Sequence, residues 1–305
     1  YVKNKVLKYK DHPALLAWGI GNELNLEAEN MKVWNAVNDI SKMIHDIDPY
    51  HPTTTMLAGI NEKDIDYMKE HCSDLDFISI QMYADIVNLQ KRIEEAGYEG
   101  PYLVTEWGAT GHWEVPRTEW DVAIEQTSKN KAKAIIDRYE KAVLADPKYC
   151  MGSYVFLWGQ KQERTPTWYG MFLENGNRTE TVDAMHYLWN GNWPSNRCPT
   201  IDSVKLNGMD AYQNIKLEVG VKYQAQAWGR CHENDKLSYH WEILPESTDL
   251  KMGGDYEKRP ETLKTYEKNP IFLEAPKKPG AYRIYVYITD PNGNAATGNI
   301  PFLVQ

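Results

Sequence analysis

The spacing of apolar residues changes character along this chain, and each change predicts a different kind of element. The chain first shows an unbroken apolar run over residues 14–20, set between Pro13 and Gly21-Asn22-Glu23. Such a run, closed by Pro and Gly, predicts a strand buried on both faces. Residues 101–108 repeat the design, with Glu106 near the exit. Over residues 27–48 the period turns helical: Met31, Val33, Trp34, Val37, Ile40, Met43, Ile44 and Ile47 share one face, and Pro49 stops the helix. The same rules predict a helix tail over 1–11, a strand over 53–57, a helix over 62–71 and a strand over 75–83. They continue with a helix over 85–96 closed by Gly97, a long helix over 125–145, a strand over 152–158 and a helix over 181–189. Five strands, each followed by a helix, predict βαβ units on a parallel sheet. Two long loops, 109–123 and 159–177, hold His112, Trp113, Trp120, Trp168 and Tyr169.

Beyond residues 191–196 the helical period disappears. Short strand-like runs follow at 216–219, 223–227, 238–243, 271–274, 282–289 and 300–304, with Pro-Gly and Pro-Asn-Gly turn signals between them. This pattern predicts an immunoglobulin-like β-sandwich over 194–305, after an α/β domain over 1–193. Asp290-Pro291-Asn292-Gly293-Asn294 fits either a calcium loop or a hairpin turn, and the missing remainder of a ligand set favours the turn.

Composition narrows the partners. The 305 residues carry a net charge of -9, which argues against nucleic acid or an anionic membrane surface. No run of about 18 apolar residues exists to span a membrane. The four cysteines form no CxxC pair and read as free or as one late bridge, Cys198–Cys231. The 11 Trp and 20 Tyr stand out: most read as large core side chains, and four or five as a surface that stacks on sugar rings.

Two strands that end on glutamate would aim two carboxyl groups into one mouth, because catalytic groups of an α/β barrel sit at the C-terminal ends of its strands. Retaining glycosidases need one carboxylate as nucleophile and one protonated carboxyl as acid, about 5–5.5 Å apart, and inverting ones about 6.5–9.5 Å. Asn22 beside Glu23 offers a donor for a sugar hydroxyl. Tyr83, at the end of its own strand, can donate to Glu106, and Trp158 offers a flat apolar face. Each piece also has a plain structural reading: Asn-Glu as a helix start, Glu-Trp-Gly as a strand exit, Tyr83 and Trp158 as core. The pair of strand-end glutamates, separated by two further βα units, favours chemistry.

The residues at 12–23, His-Pro-Ala-Leu-Leu-Ala-Trp-Gly-Ile-Gly-Asn-Glu, resemble the fourth barrel strand of clan A glycoside hydrolases. Gln-Met-Tyr at 81–83 resembles their sixth strand, Val-Thr-Glu-Trp-Gly at 104–108 their seventh and Phe-Leu-Trp-Gly at 156–159 their eighth. The resemblance covers roughly residues 1–190. It implies a (β/α)8 TIM barrel and a retaining mechanism, with Glu23 as acid/base, Glu106 as nucleophile, Asn22 on the 2-hydroxyl, Tyr83 as partner of the nucleophile and Trp158 as the platform of the −1 subsite. Family 2 barrels are similar, as are family 158 endo-β-1,3-glucanases, which pair such a barrel with an immunoglobulin-like domain. Trp113, Trp120 and Trp168, on loops expected at the same rim, favour β-glucan, with His112 as a further contact; a β-galactosidase- or β-mannosidase-type exo-glycosidase is the alternative. No cofactor or metal is implied. Polysaccharide substrates imply export, to the periplasm, cell surface or medium.

The chain supplies only the last five of the eight barrel strands. The expectation is that it belongs to a longer sequence, or that a separate segment completes the barrel, and that alone it hydrolyses poorly. A carbohydrate-binding protein without catalysis is the second reading. A third makes the sandwich itself the binding module through Trp228, Tyr239 and Trp241, against the reading of these residues as strand core.

Overall fold

The computed structural model describes residues 1–251 and 254–305. The chain forms two compact units: residues 1–107 with 138–155, and residues 108–137 with 156–305.

The first unit is built on a sheet in the order β1 (Trp18–Asn22), β2 (Thr53–Ala58), β3 (Ile78–Gln81), β4 (Tyr102–Gly108), β5 (Cys150–Phe156). β1–β2, β2–β3 and β3–β4 pair in parallel. Helix α1 (Val2–Tyr9) precedes the sheet, and α2 (Val33–Ile47), α3 (Glu62–His71) and α4 (Leu89–Glu95) connect the strands. Helix α2 buries Trp34, Val37, Asn38, Ser41 and Ile44, one stripe of a 3.6-residue period. Asn61 caps α3 by accepting from the Asp64 N–H. The inner strands β2 and β3 are almost wholly buried, whereas the edges are not. β1 buries only Ile20, and β5 exposes Met151 and Tyr154.

The opening strand departs from its expected form. It starts at Trp18 rather than residue 14, and Leu16 is 64% exposed. β1 lies at the sheet edge with only Ile20 buried, so the apolar run overstated its burial. Helix α2 also starts later than the periodicity suggests, because Glu23 and Glu27 both adopt positive φ and break any earlier helix.

In the second unit, one sheet runs β11 (Lys264–Tyr266), β10 (Ser238–Pro245), β13 (Gly280–Thr289), β14 (Asn294–Val304), β6 (Arg178–Thr179), with β8 (Lys216–Leu217) also on β14. The other runs β12 (Ile271–Glu274), β9 (Lys222–Arg230), β7 (Thr200–Leu206). Leu206, Ala225 and Leu273 from the smaller sheet join Trp241, Ile284 and Phe302 from the larger in one apolar core. Trp241 is therefore core, its Nε1 donating to the Lys268 carbonyl, while Trp228 is 43% exposed. The 290–294 segment is a hairpin turn: the Asp290 carboxylate accepts from the Asn292 and Asn294 N–H groups and the Asn294 amide. All four cysteines are free thiols, so the Cys198–Cys231 bridge does not form.

The composition shift near residue 193 does not coincide with the division between the units. Helices α5 (Ser128–Arg138, its last residue in the first unit) and α6 (Glu180–Asn190) belong largely or wholly to the second. Buried polar contacts hold α5 there. Glu125 accepts from Lys131 (2.5 Å), Thr165 (2.6 Å), Thr167 (2.8 Å) and Asn299 (2.7 Å), and the buried Arg283 donates to Asn299 (2.7 Å) and the Ala123 carbonyl (2.8 Å). Burial pushes the Glu125 carboxyl upward, but Lys131 and Arg283 outweigh it and hold the group below its usual range.

Candidate active site

Three strand ends of the first unit carry the polar residues singled out in the sequence. β1 ends on Asn22, and Glu23 follows with its N–H on the Met56 carbonyl of β2 (2.9 Å). Gly21 at φ 79° and Glu23 at φ 50° turn the chain sharply there. That φ of 79° is one that side-chain-bearing residues rarely adopt, and a Cβ on Gly21 would also crowd the Leu24 side chain, so glycine is favoured there. Asn25 then pins the exit. Its amide donates to the Ala58 carbonyl (3.1 Å) and Asp64 (2.9 Å), and its oxygen accepts from the Ala58 N–H (2.9 Å). A non-glycine residue at positive φ, clamped on both sides, is what a fixed functional group requires.

Glu106 sits in β4 in register with Gln81 of β3. The Tyr83 hydroxyl donates to Glu106 Oε1 at 2.6 Å, a short charge-assisted bond that orients the carboxylate. Gln81, buried, donates through Nε2 to Asn22 Oδ1 at 2.8 Å. That bond fixes which way the Asn22 amide faces and leaves its NH2 as the outward donor. The sequence reading used Gln81 only as part of a motif; its signal was the Gln-x-Tyr spacing, which places both side chains on the same exit.

The two carboxyl groups feel each other. The Glu23 carboxyl is held above its usual range, first by burial and then by the negative charge of Glu106. Both causes favour the protonated form of Glu23, while the Tyr83 hydroxyl orients the Glu106 carboxylate. Asn22, Glu23, Tyr83 and Glu106 thus form one constellation within the first unit.

The remaining sequence candidates lie in the second unit. Trp158, just past β5, is 51% exposed and packs against Phe172 (5.3 Å) and Trp189 (5.5 Å), which leaves much of its indole open. Trp113 is 58% exposed and stands edge-on to His112. Trp168 has no open face: it is 2% exposed, with Nε1 on the Thr110 carbonyl (2.9 Å), so it fastens the two loops together. His112 is likewise engaged. An Arg164 Nη2–H donates to its Nε2 (2.9 Å), so Nδ1 bears the ring proton and donates to the Tyr169 oxygen (2.9 Å). Burial, with the positive charges of Arg164 and Arg117, lowers His112 to about 4. Arg164, at φ 61°, was not foreseen; nothing in the pattern marks a lone Arg in a polar loop.

No protein-family profile matches this chain, and no functionally curated protein matches it. Among solved structures it is similar to the β-glucuronidase of Parabacteroides merdae, at 14% identity and a TM-score of 0.42 over 100% of this chain and 38% of that one. It is similar to a glycoside hydrolase family 5 mannosidase from Rhizomucor miehei, at 16% identity and a TM-score of 0.44 over 62% of this chain and 56% of that one. The PKD1 domain of Vibrio anguillarum Epp is matched at 16% identity and a TM-score of 0.23, over 36% of this chain and 98% of that domain. The chain spans less than two-fifths of the glucuronidase and just over half of the mannosidase.

Proposed function

We propose that this chain carries the catalytic pair of a retaining β-glycosidase of clan A type, acting on a polysaccharide and most naturally as an endo-β-glucanase on β-1,3-glucan. The observation that carries the reading is the pairing of a raised carboxyl, Glu23, with a tyrosine-held carboxylate, Glu106, at strand ends of one parallel sheet. In the proposed mechanism Glu106 attacks the anomeric carbon while Glu23 protonates the departing oxygen. Glu23 then deprotonates the water that releases the glycosyl-enzyme. Asn22 donates to the 2-hydroxyl. Trp113 supports the preference for glucan, and extracellular or periplasmic export follows from a polymeric substrate.

The proposed barrel needs three further strands between β1 and β5, and the exposed Met151 and Tyr154 of β5 suit added neighbours. Those open edges also favour a second reading, in which this chain binds glycan but turns it over poorly unless the barrel is completed. Glu106→Ala in the full-length protein separates the readings. A catalytic nucleophile predicts a rate loss of about 10³-fold or more, and azide restoring turnover with an inverted glycosyl azide product. Near-normal rates in the variant would end the assignment, and glycan binding without release of reducing ends in the parent would favour the binding protein.

A further inference from the structure

A cavity of about 380 Å³ opens in the second unit, lined by the 160–177 loop on one side and strands β10 and β13 on the other. We propose that it is a second saccharide-binding site, taking a neutral mono- or disaccharide unit. Its volume falls within the usual span for small-molecule sites, about 300–1,000 Å³.

Charge decides the ligand class. Arg259 donates to Glu174 (3.1 Å) and to Glu242 (2.7 Å), so one guanidinium is shared between two carboxylates and the lining is net negative. Phosphate, sulfate or a uronic acid is repelled there. A polyhydroxyl ligand is not, because it brings donors for the carboxylates and acceptors for the amides. Those amides are present. Asn175 uses only its oxygen, on the Asn177 N–H (3.1 Å), and its NH2 and the whole Asn177 side-chain amide make no hydrogen bond among the described residues. The Arg259 Nε likewise has no protein partner among them. Each Asn side chain both donates and accepts, the pairing a sugar hydroxyl demands.

The site is built beforehand. Leu173 N–H donates to the Asn177 carbonyl (2.8 Å) and Gly176 N–H to the Leu173 carbonyl (2.9 Å), with Gly176 at φ 86°, so the turn that presents both amides is closed without a ligand. Leu173 adds an apolar surface, and the Tyr287 and His240 rings, 6.0 Å apart and tilted by 40°, each offer a ring surface for sugar C–H groups. None of these residues belongs to the Glu23–Glu106 constellation, and the inference rests on the proposed function only for its choice of probe.

The test is calorimetric titration of the full-length protein carrying Glu106→Gln with laminaribiose, and with glucuronate as the anionic control. The expected stoichiometry is two disaccharides per chain, falling to one when Asn175→Trp fills the cavity. If the catalytic reading fails, the expected fall is from one to none. Asn177→Ala, a milder change that keeps the turn, is expected to weaken this component by about fivefold or more, and laminaribiose is expected to shift the His240 ring protons. Stoichiometry and His240 resonances indifferent to both substitutions would overturn the proposal, as would glucuronate binding equally well.

Discussion

At the scale of single residues, the site depends on how one carboxyl group responds to another. Glu23 is raised by burial and by Glu106, and the second cause can be removed alone. Glu106→Gln keeps shape and the acceptor for the Tyr83 hydroxyl but deletes the charge. The Glu23 carboxyl, followed by carbon-13 NMR across pH, is then expected to titrate lower than in the parent, while remaining above its usual range because burial persists. An unchanged Glu23 titration would show that the groups do not share a site. This coupling was legible in the sequence, since strand-end glutamates at 23 and 106 needed only a sheet to bring them within electrostatic reach. Gln81 and Asn25 were less so. Their work is to hold other groups by hydrogen bonds across the fold, to Asn22 and Ala58. Pairing of that kind has no local pattern.

Elements were readable where a single face met a single core. The end of helix α2 and the strands β10 and β12 emerged close to their expected bounds because period and burial agree there. β6, β7 and β11 escaped detection. β6 and β11 are very short, and β7 mixes Asp202, Ser203 and Lys205 into its apolar run. The loops misled more. Aromatics in a long loop read as rim platforms, yet Trp168 is enclosed and bonded to Thr110. The two readings predict different losses. Trp168→Ala is expected to lower stability by about 3–5 kcal/mol, the range for truncating a buried tryptophan, with KM on a soluble glycan nearly unchanged at temperatures where the variant stays folded. Trp158→Ala is expected to do the reverse. A raised KM with an unshifted melting temperature for Trp168→Ala would restore the rim role. Gly108 shows the tightness of the β4 exit, since a Cβ there would meet the Phe156 carbonyl oxygen at 2.0 Å.

For the molecule as a whole, buried polar residues decide which segments travel together, and they make folding depend on pH. In the second unit Glu180 opens α6 and accepts from Ser128 (2.8 Å) at the start of α5, and Ser128 in turn accepts from the Thr297 N–H of β14 (2.9 Å). Burial raises Glu180 to about 7, against a smaller lowering by Thr200, Ser128 and Lys129, while Asp183 adds to the rise. The folded chain therefore keeps this proton across a window, from 4.5 to about 7, where the unfolded chain has released it. Stability from this group is complete below the unfolded value and is lost as pH rises through the folded one. His112 acts oppositely: lowered to about 4, it favours the fold above its ordinary value of 6.5 and loses that contribution as pH falls. The two groups are separable by substitution. Glu180→Gln retains an acceptor for Ser128 but cannot ionise, so thermal melts at pH 5 and pH 8 are expected to show a smaller drop in the variant than in the parent. The difference should be on the order of 1–3 kcal/mol. Parallel pH dependence in the two proteins would mean that the Glu180 carboxyl ionises in the folded chain as readily as in the unfolded one, and that its place between α5 and α6 is held by hydrogen bonds alone.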